Sequence, residues 1–224
     1  MATRSTPTKR TTKTAGRRRG GAAQVAPRLD VEAITDRSVP GLFLRQVARY
    51  SGRTVFHYFD GSEWKPITWK GLGELVLRVA AGLVAAGVQR GDRVILMSEN
   101  RPEWIYTDLA IQAAGAVTVP VYPSSTPDMV AKIAANSEAV LAVASTDKVA
   151  AKMETGERLR RVVRIDGELK DWTDAEPRAG ILAEVFARLQ SIQPEDVATI
   201  IYTSGTTGDP KGRRAGAARV RRHG

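Results

Sequence analysis

The chain has 224 residues, with 34 Lys+Arg against 24 Asp+Glu, no cysteine and a formal net charge of +10. Without cysteine, a disulfide scaffold, Cys-ligated zinc and thiol catalysis are excluded, and no apolar run reaches the roughly 18–20 residues that span a membrane. The charge is segregated: residues 1–28 hold eight basic residues and no acid, residues 213–224 hold five and none, and the 184 residues between them hold 21 basic against 24 acidic.

Residues 1–28 are rich in Thr, Lys, Arg, Gly and Ala without an apolar period, and read as a disordered basic tail that cannot bury enough surface to fold. No hydrophobic stretch follows, as a secretory signal would require, so the expected compartment is cytoplasmic. Lys9, Arg10, Lys13 and Arg17 to Arg19 would release counterions from a phosphate polymer or an anionic lipid surface. The simpler reading, preferred here because compositional signals of this kind discriminate poorly, is a solvated tail or an upstream start codon.

The mildly acidic body, 29–212, is long enough for one sizeable core. Segment 42–50 predicts a short helix after Pro40-Gly41. Segments 54–59 and 64–69 flank Asp60-Gly61-Ser62-Glu63 and predict a hairpin, with Trp64 and Trp69 as packing residues. Leu72, Leu75, Val76, Val79 and Leu83 recur at helical spacing over 70–86, with Gly87 placed to stop the helix. Strand and helix then alternate: strand 93–97, a helix opened by Pro102 and Glu103, strand 117–121, and a helix opened by Thr126-Pro127-Asp128. Strand 140–144, a helical stretch 146–154, strand 161–165, helix 180–190 and strand 197–202 follow. The expected fold is α/β, a mostly parallel sheet with helices on both faces and right-handed crossovers.

Strand 197–202 runs into Thr203-Ser204-Gly205-Thr206-Thr207-Gly208-Asp209-Pro210-Lys211-Gly212. Its glycines let backbone amides approach an anion, and its hydroxyls and one ammonium add donors, the chemistry a polyphosphate needs. The spacing is not that of the Walker A loop. Pro210 stiffens the end of the loop and disfavours helix at Asp209. His57 and His223, with no cysteine, make a poor metal site.

Residues 213–224, RRAGAARVRRHG, have neither an apolar period nor an acid and do not look like the next element of the body. One of the codon assignments open to 213–217, CGT CGT GCT GGC GCA, gives Val-Val-Leu-Ala when its first base is removed. A one-base frameshift would therefore account for an aberrant basic tail. An apolar edge is then expected where the sheet stops.

YTSGTTGDPKG, from Tyr202 to Gly212, resembles the signature of the adenylate-forming (AMP-binding) superfamily. GDRVILMSENRPEW (91–104) and AIQAAGAVTVPVYPSSTPDMVAKI (110–133) are similar to its long-chain fatty acyl-CoA synthetase branch. The resemblance covers roughly 38–212, the N-terminal part of such an enzyme's large domain. It implies ATP, Mg²⁺ and coenzyme A: a carboxylic acid and ATP form an acyl adenylate, and the thiol then displaces AMP. It assigns phosphate binding to Thr203, Ser204, Gly205, Thr206, Thr207, Gly208 and Lys211, and no catalytic residue. Glu99 to Trp104 and Tyr122 to Thr126 also match the family, but their simplest roles are a turn and a helix start. The adenine, ribose and acyl sites and the adenylating lysine of the family have no match in the 12 residues after Gly212, so the chain alone is expected not to turn over.

Two other functions remain open on the sequence. One is a catalytically dead nucleotide- or anion-binding module. The other is a nucleic-acid-binding protein using both basic ends, disfavoured by a body that is net acidic and has no recognition motif. Peripheral contact with a membrane stays open, and oligomeric state leaves no mark.

Overall fold

The computed structural model describes residues 27–154, 156–203 and 211–216. The expected disordered tail, apart from Pro27 and Arg28, lies outside the described residues, as do 204–210 and 217–224.

Helix α1 (Val39–Tyr50) starts three residues earlier than its apolar spacing suggests. The Ser38 hydroxyl accepts from the Gly41 amide, and Pro40 is tolerated in the first turn. Strands β1 (Thr54–Phe59) and β2 (Trp64–Thr68) form the expected antiparallel hairpin. Its turn is closed by the Asp60 carboxylate, which accepts from the Ser62 and Glu63 amides at 2.9 Å each. Trp69 packs 6.1 Å from Phe43. Trp64, expected to pack likewise, is 68% exposed, its ring 5.8 Å from that of its cross-strand neighbour Phe59, because it stands at the turn end of the hairpin, which faces solvent.

Helix α2 (Trp69–Ala85) is capped by Thr68 and buries Leu72, Val76, Val79 and Leu83 as its stripe. Gly87 ends it at φ +87°, a left-handed conformation that costs glycine little. The series then runs β3 (Arg93–Met97), α3 (Pro102–Ala113), β4 (Val117–Pro120), α4 (Pro127–Ser137), β5 (Leu141–Ala144), α5 (Asp147–Ala150) and β6 (Arg161–Arg164). It closes with α6 (Lys170–Asp174), α7 (Ala179–Ser191), β7 (Val197–Thr203) and β8 (Lys211–Gly216). These strands make one six-stranded sheet in the order β6-β5-β3-β4-β7-β8, parallel up to β7 and antiparallel at β8.

Helices cover both faces, as the alternation of strand residues requires. Val94 and Leu96 face a core shared with α1, α2, α3 and α7. Ile95 and Met97 face the α4 and α5 side, and all four are fully buried. Arg188 of α7, 9% exposed, donates to the carbonyls of Val88 at 2.8 Å and Ala114 at 3.1 Å, tying α7 to the ends of α2 and α3.

Four expectations need adjustment. The helix expected over 146–154 is only one turn, capped by Thr146; Lys152 and Met153 follow it in a turn. Residues 165–174 carry structure that the apolar spacing does not reveal: a wound segment kinked at Asp166 and Gly167 leads into α6. Trp172 lies over Gly82, where an added Cβ would stand 2.2 Å from the indole. Residues 213–216, expected outside the body, pair with β7 as part of β8. Backbone amides and carbonyls make an edge pairing, so Arg-Arg-Ala-Gly supplies one without an apolar period. The last adjustment follows from it: the bare apolar edge expected at β7 is covered by that strand.

Candidate active site at the carboxyl end of the sheet

In parallel sheets covered on both faces, ligands bind beyond the carboxyl ends of the strands. Four strand ends meet there: Ser98-Glu99-Asn100 after β3, Val121 to Thr126 after β4, Ser145 after β5, and Thr203 at the end of β7. The chain returns at Lys211, the register partner of Thr203 in the antiparallel pair β7–β8. The seven residues 204–210 therefore connect two adjacent strands at this end of the sheet. Of the expected phosphate-binding residues, Thr203 and Lys211 are brought together as backbone partners. Ser204, Gly205, Thr206, Thr207 and Gly208 lie outside the described residues.

The neighbouring loop is fixed by the same sheet. Thr118 of β4 is in parallel register with Thr199 of β7, and the Thr199 hydroxyl donates to the Thr118 carbonyl at 3.0 Å. Tyr122 follows β4, two residues past its last residue Pro120. Tyr122 is 80% exposed. The Tyr122 carbonyl accepts from the Ser125 amide at 2.9 Å, and Thr126 caps α4 through the Met129 amide.

Lys152 was not singled out by the sequence, yet its ammonium donates to the carbonyls of Pro123 at 2.5 Å and Ser125 at 3.0 Å. No local pattern marks it, because its partners lie 29 and 27 residues away. Glu99, exposed at the end of β3, is held below the usual carboxylate range chiefly by the Ser145 hydroxyl and then by its own amide. The Ser145 hydroxyl is fully buried and acts on Glu99 by proximity, without a well-formed hydrogen bond. Arg101 bridges Glu103 at 2.7 Å and Asp166 at 2.9 Å, which raises its pKa. The turn and helix start expected for 99–104 are thus what the structure shows.

A half-buried carboxyl stands on α3. Burial pushes the Asp108 carboxyl up, against donation from Gln112 at 3.1 and 3.2 Å and the nearby Thr118 hydroxyl. A cleft of about 640 Å³ lies elsewhere, along β7 and β8 toward the amino ends of β3 and β4. Two of its arginines are committed: Arg90 to Asp196 and Ser191, Arg93 to Glu138 and to backbone carbonyls. Size alone does not identify the reactive site. Among the described residues no cluster of three His, Asp or Glu stands ready for a metal, and exposed His57 belongs to none. No described helix is long and apolar enough to cross a membrane.

The family described as AMP-binding enzyme matches residues 43–213. The chain belongs to that family. Long-chain-fatty-acid--CoA ligase FadD15 of Mycobacterium bovis is 42% identical over 156 residues, which cover 66% of this chain and 26% of that protein. A 3-[(3aS,4S,7aS)-7a-methyl-1,5-dioxo-octahydro-1H-inden-4-yl]propanoyl:CoA ligase of Mycobacterium tuberculosis is 34% identical, over 79% of this chain and 36% of that protein. The chain thus spans about a quarter to a third of the length of these relatives. Among solved structures, the fatty acyl-adenylate ligase from L. pneumophila, in complex with acyl adenylate and pyrophosphate, superposes with a TM-score of 0.64 at 23% identity, covering 85% of this chain and 32% of that one. The Mycobacterium tuberculosis fatty acyl CoA synthetase gives 0.66 at 19% identity, covering 81% and 35%. These likenesses show the fold: the chain has the N-terminal architecture of adenylate-forming enzymes.

Proposed function

We propose that this chain is part of an ATP-dependent fatty acid–CoA ligase and supplies its phosphate loop. The observation that carries the reading is the pairing of Thr203 with Lys211 at the carboxyl end of β7. The hydroxyl- and glycine-rich sequence between them, 204–210, falls within the segment that matches the AMP-binding family.

In the reaction this reading implies, a carboxylate oxygen attacks the α-phosphorus of ATP. A new C–O–P linkage forms and the bond to pyrophosphate breaks; the thiol of coenzyme A then attacks the acyl carbon and AMP leaves. Nucleophile and electrophile are both anionic in the first step, so countercharge on the β- and γ-phosphates lowers the barrier. Thr203, Ser204, Thr206 and Thr207 would donate through hydroxyls, Gly205 and Gly208 through amides, and Lys211 through its ammonium. Mg²⁺ would add charge neutralisation when bound with ATP; no cluster of described side chains fits it, and no step is assigned to it. Coenzyme A enters by kinship alone.

We place the partial adenylation domain at 29–212, with the basic tail 1–28 before it. A one-base frameshift at 213–224 would account for the basic end: in the other frame Val-Val-Leu-Ala would replace Arg-Arg-Ala-Gly in β8, beside Ile200 and Ile201. Extending the chain in the restored frame should give acid-dependent exchange of pyrophosphate into ATP, and Lys211→Ala should lower it about 100-fold or more, as loss of one charge-stabilising donor does. No exchange with any carboxylic acid tried would overturn the reading. The 224-residue chain by itself should form no thioester, since a catalytic constellation is not assembled from one loop.

A further inference from the structure

We propose that the outer edge of β8 is a docking site for an acidic protein segment in extended conformation, which adds to the sheet as a further strand. The site is separate from the nucleotide reading above and uses no residue between Thr203 and Lys211.

The backbone supplies the first part of the argument. β8 is the last strand in the order β6-β5-β3-β4-β7-β8, and no described strand pairs with its outer side. Its register with β7 is regular over five consecutive pairs, from Thr203 with Lys211 to Thr199 with Ala215, and the strand contains no proline. Proline and bulges are devices that spoil an edge for pairing. The amides and carbonyls of β8 that point away from β7 are therefore in line to receive another strand.

The side chains supply the second part. Consecutive strand residues face opposite sides, so Arg213 stands on the face of its register partner Ile201 and Arg214 on the face of Ile200. Both arginines are exposed, and neither has an ion pair or hydrogen bond among the described residues. The opposite edge of the sheet differs. There Arg161 meets Glu168 at 2.5 Å and Arg164 meets Asp147, so the cations of β6 are already balanced. The unbalanced charge lies on the edge with the longer strand.

That charge selects the partner. Two copies of β8 laid antiparallel about their centre would set Arg213 of each against Arg214 of the other, and like charges directly opposite destabilise a ladder. A strand with two consecutive carboxylates would instead place one beside Arg213 and the other, on the opposite face, beside Arg214. Backbone bonds then give affinity, and the two charge-assisted contacts give selectivity.

The test uses the full 224-residue chain and three capped, fluorescein-labelled probes: Thr-Val-Glu-Glu-Val-Thr, the same peptide with lysine for glutamate, and the glutamate peptide methylated on every backbone nitrogen. In anisotropy titrations the glutamate peptide should bind about tenfold or more tightly than either of the others, because only it has both the charge and the donors. Hydrogen exchange should slow over 211–216 when it binds. The double change Arg213→Glu with Arg214→Glu should reverse the preference toward the lysine peptide, and the milder Arg213→Gln with Arg214→Gln should abolish it, which keeps the test open if the charge reversal prevents folding. Equal binding of the glutamate and lysine peptides, affinity unchanged by methylation, or protection that misses 211–216 would overturn the proposal. Protection of 211–216 by a thymidine oligonucleotide and not by the glutamate peptide would overturn it as well, by making the edge a nucleic-acid contact.

Discussion

Strands β3 and β7 have nearly the same apolar character by composition, RVILM and VATIIYT, but opposite surroundings. In β3 four consecutive residues are buried, because β5 and β4 flank the strand and helices cover both faces. In β7 no residue is fully buried, and Ile201 is 47% exposed. Its neighbour β8 brings Arg213 and Arg214 opposite Ile201 and Ile200. The difference teaches that apolarity in a strand states what the strand is suited to bury, while burial depends on what lies around it. β7 carries the composition of an interior strand beside a partner suited to solvent. The other edge, β6, likewise carries exposed Arg161 and Arg164, and charge on an edge discourages pairing with further chains.

The contrast can be broken first in the interior. Leu96→Ala should destabilise the fold by about 2–5 kcal/mol, the usual range for truncating a buried leucine. Ile201→Ala should cost about 1 kcal/mol or less, since half of that side chain is already in water. Urea denaturation of both variants measures the gap, and equal losses would remove the distinction between the two strands.

Charge on β8 offers a second lever. The double change Arg213→Val and Arg214→Val should increase self-association, seen as a concentration-dependent rise in light scattering, because an apolar edge then meets solvent. If scattering does not change, the arginines are not what protects that edge.

The smallest expected effect concerns pH. Burial raises the Asp108 carboxyl above its ordinary value of 3.8, so the folded state retains this proton longer than the unfolded state does. The stability it contributes is complete below the ordinary aspartate range and is lost as pH rises through the raised value. Asp108→Asn should therefore flatten the decline in urea midpoint over that interval and leave the variant relatively more stable near neutrality. A wild-type slope retained in the variant would locate the titration elsewhere.

Much of this arrangement is legible in the sequence because its causes are local. The α2 stripe, the cap at Thr126 and the hairpin around Asp60 each depend on residues within one or two turns. The signature from Tyr202 to Gly212 is legible for the same reason: its chemistry lies in consecutive residues. Residues 165–174 are not, because Ile165 and Leu169 are buried in a segment kinked at Gly167, which erases the period. Lys152 is hidden because a lysine's role depends on carbonyls brought to it by other strands. The exposure of β7 is hidden as well, since it depends on neighbours rather than on composition.

The contact between Trp172 and Gly82 also makes the least legible segment observable. An indole lying directly on a helix backbone changes its emission when it is lifted away, so Trp172, with the other three tryptophans replaced by phenylalanine, would report the arrival of residues 165–174 on α2 in real time. In a refolding trace, that signal would distinguish a sheet completed before its covering segment docks from one that cannot form without it.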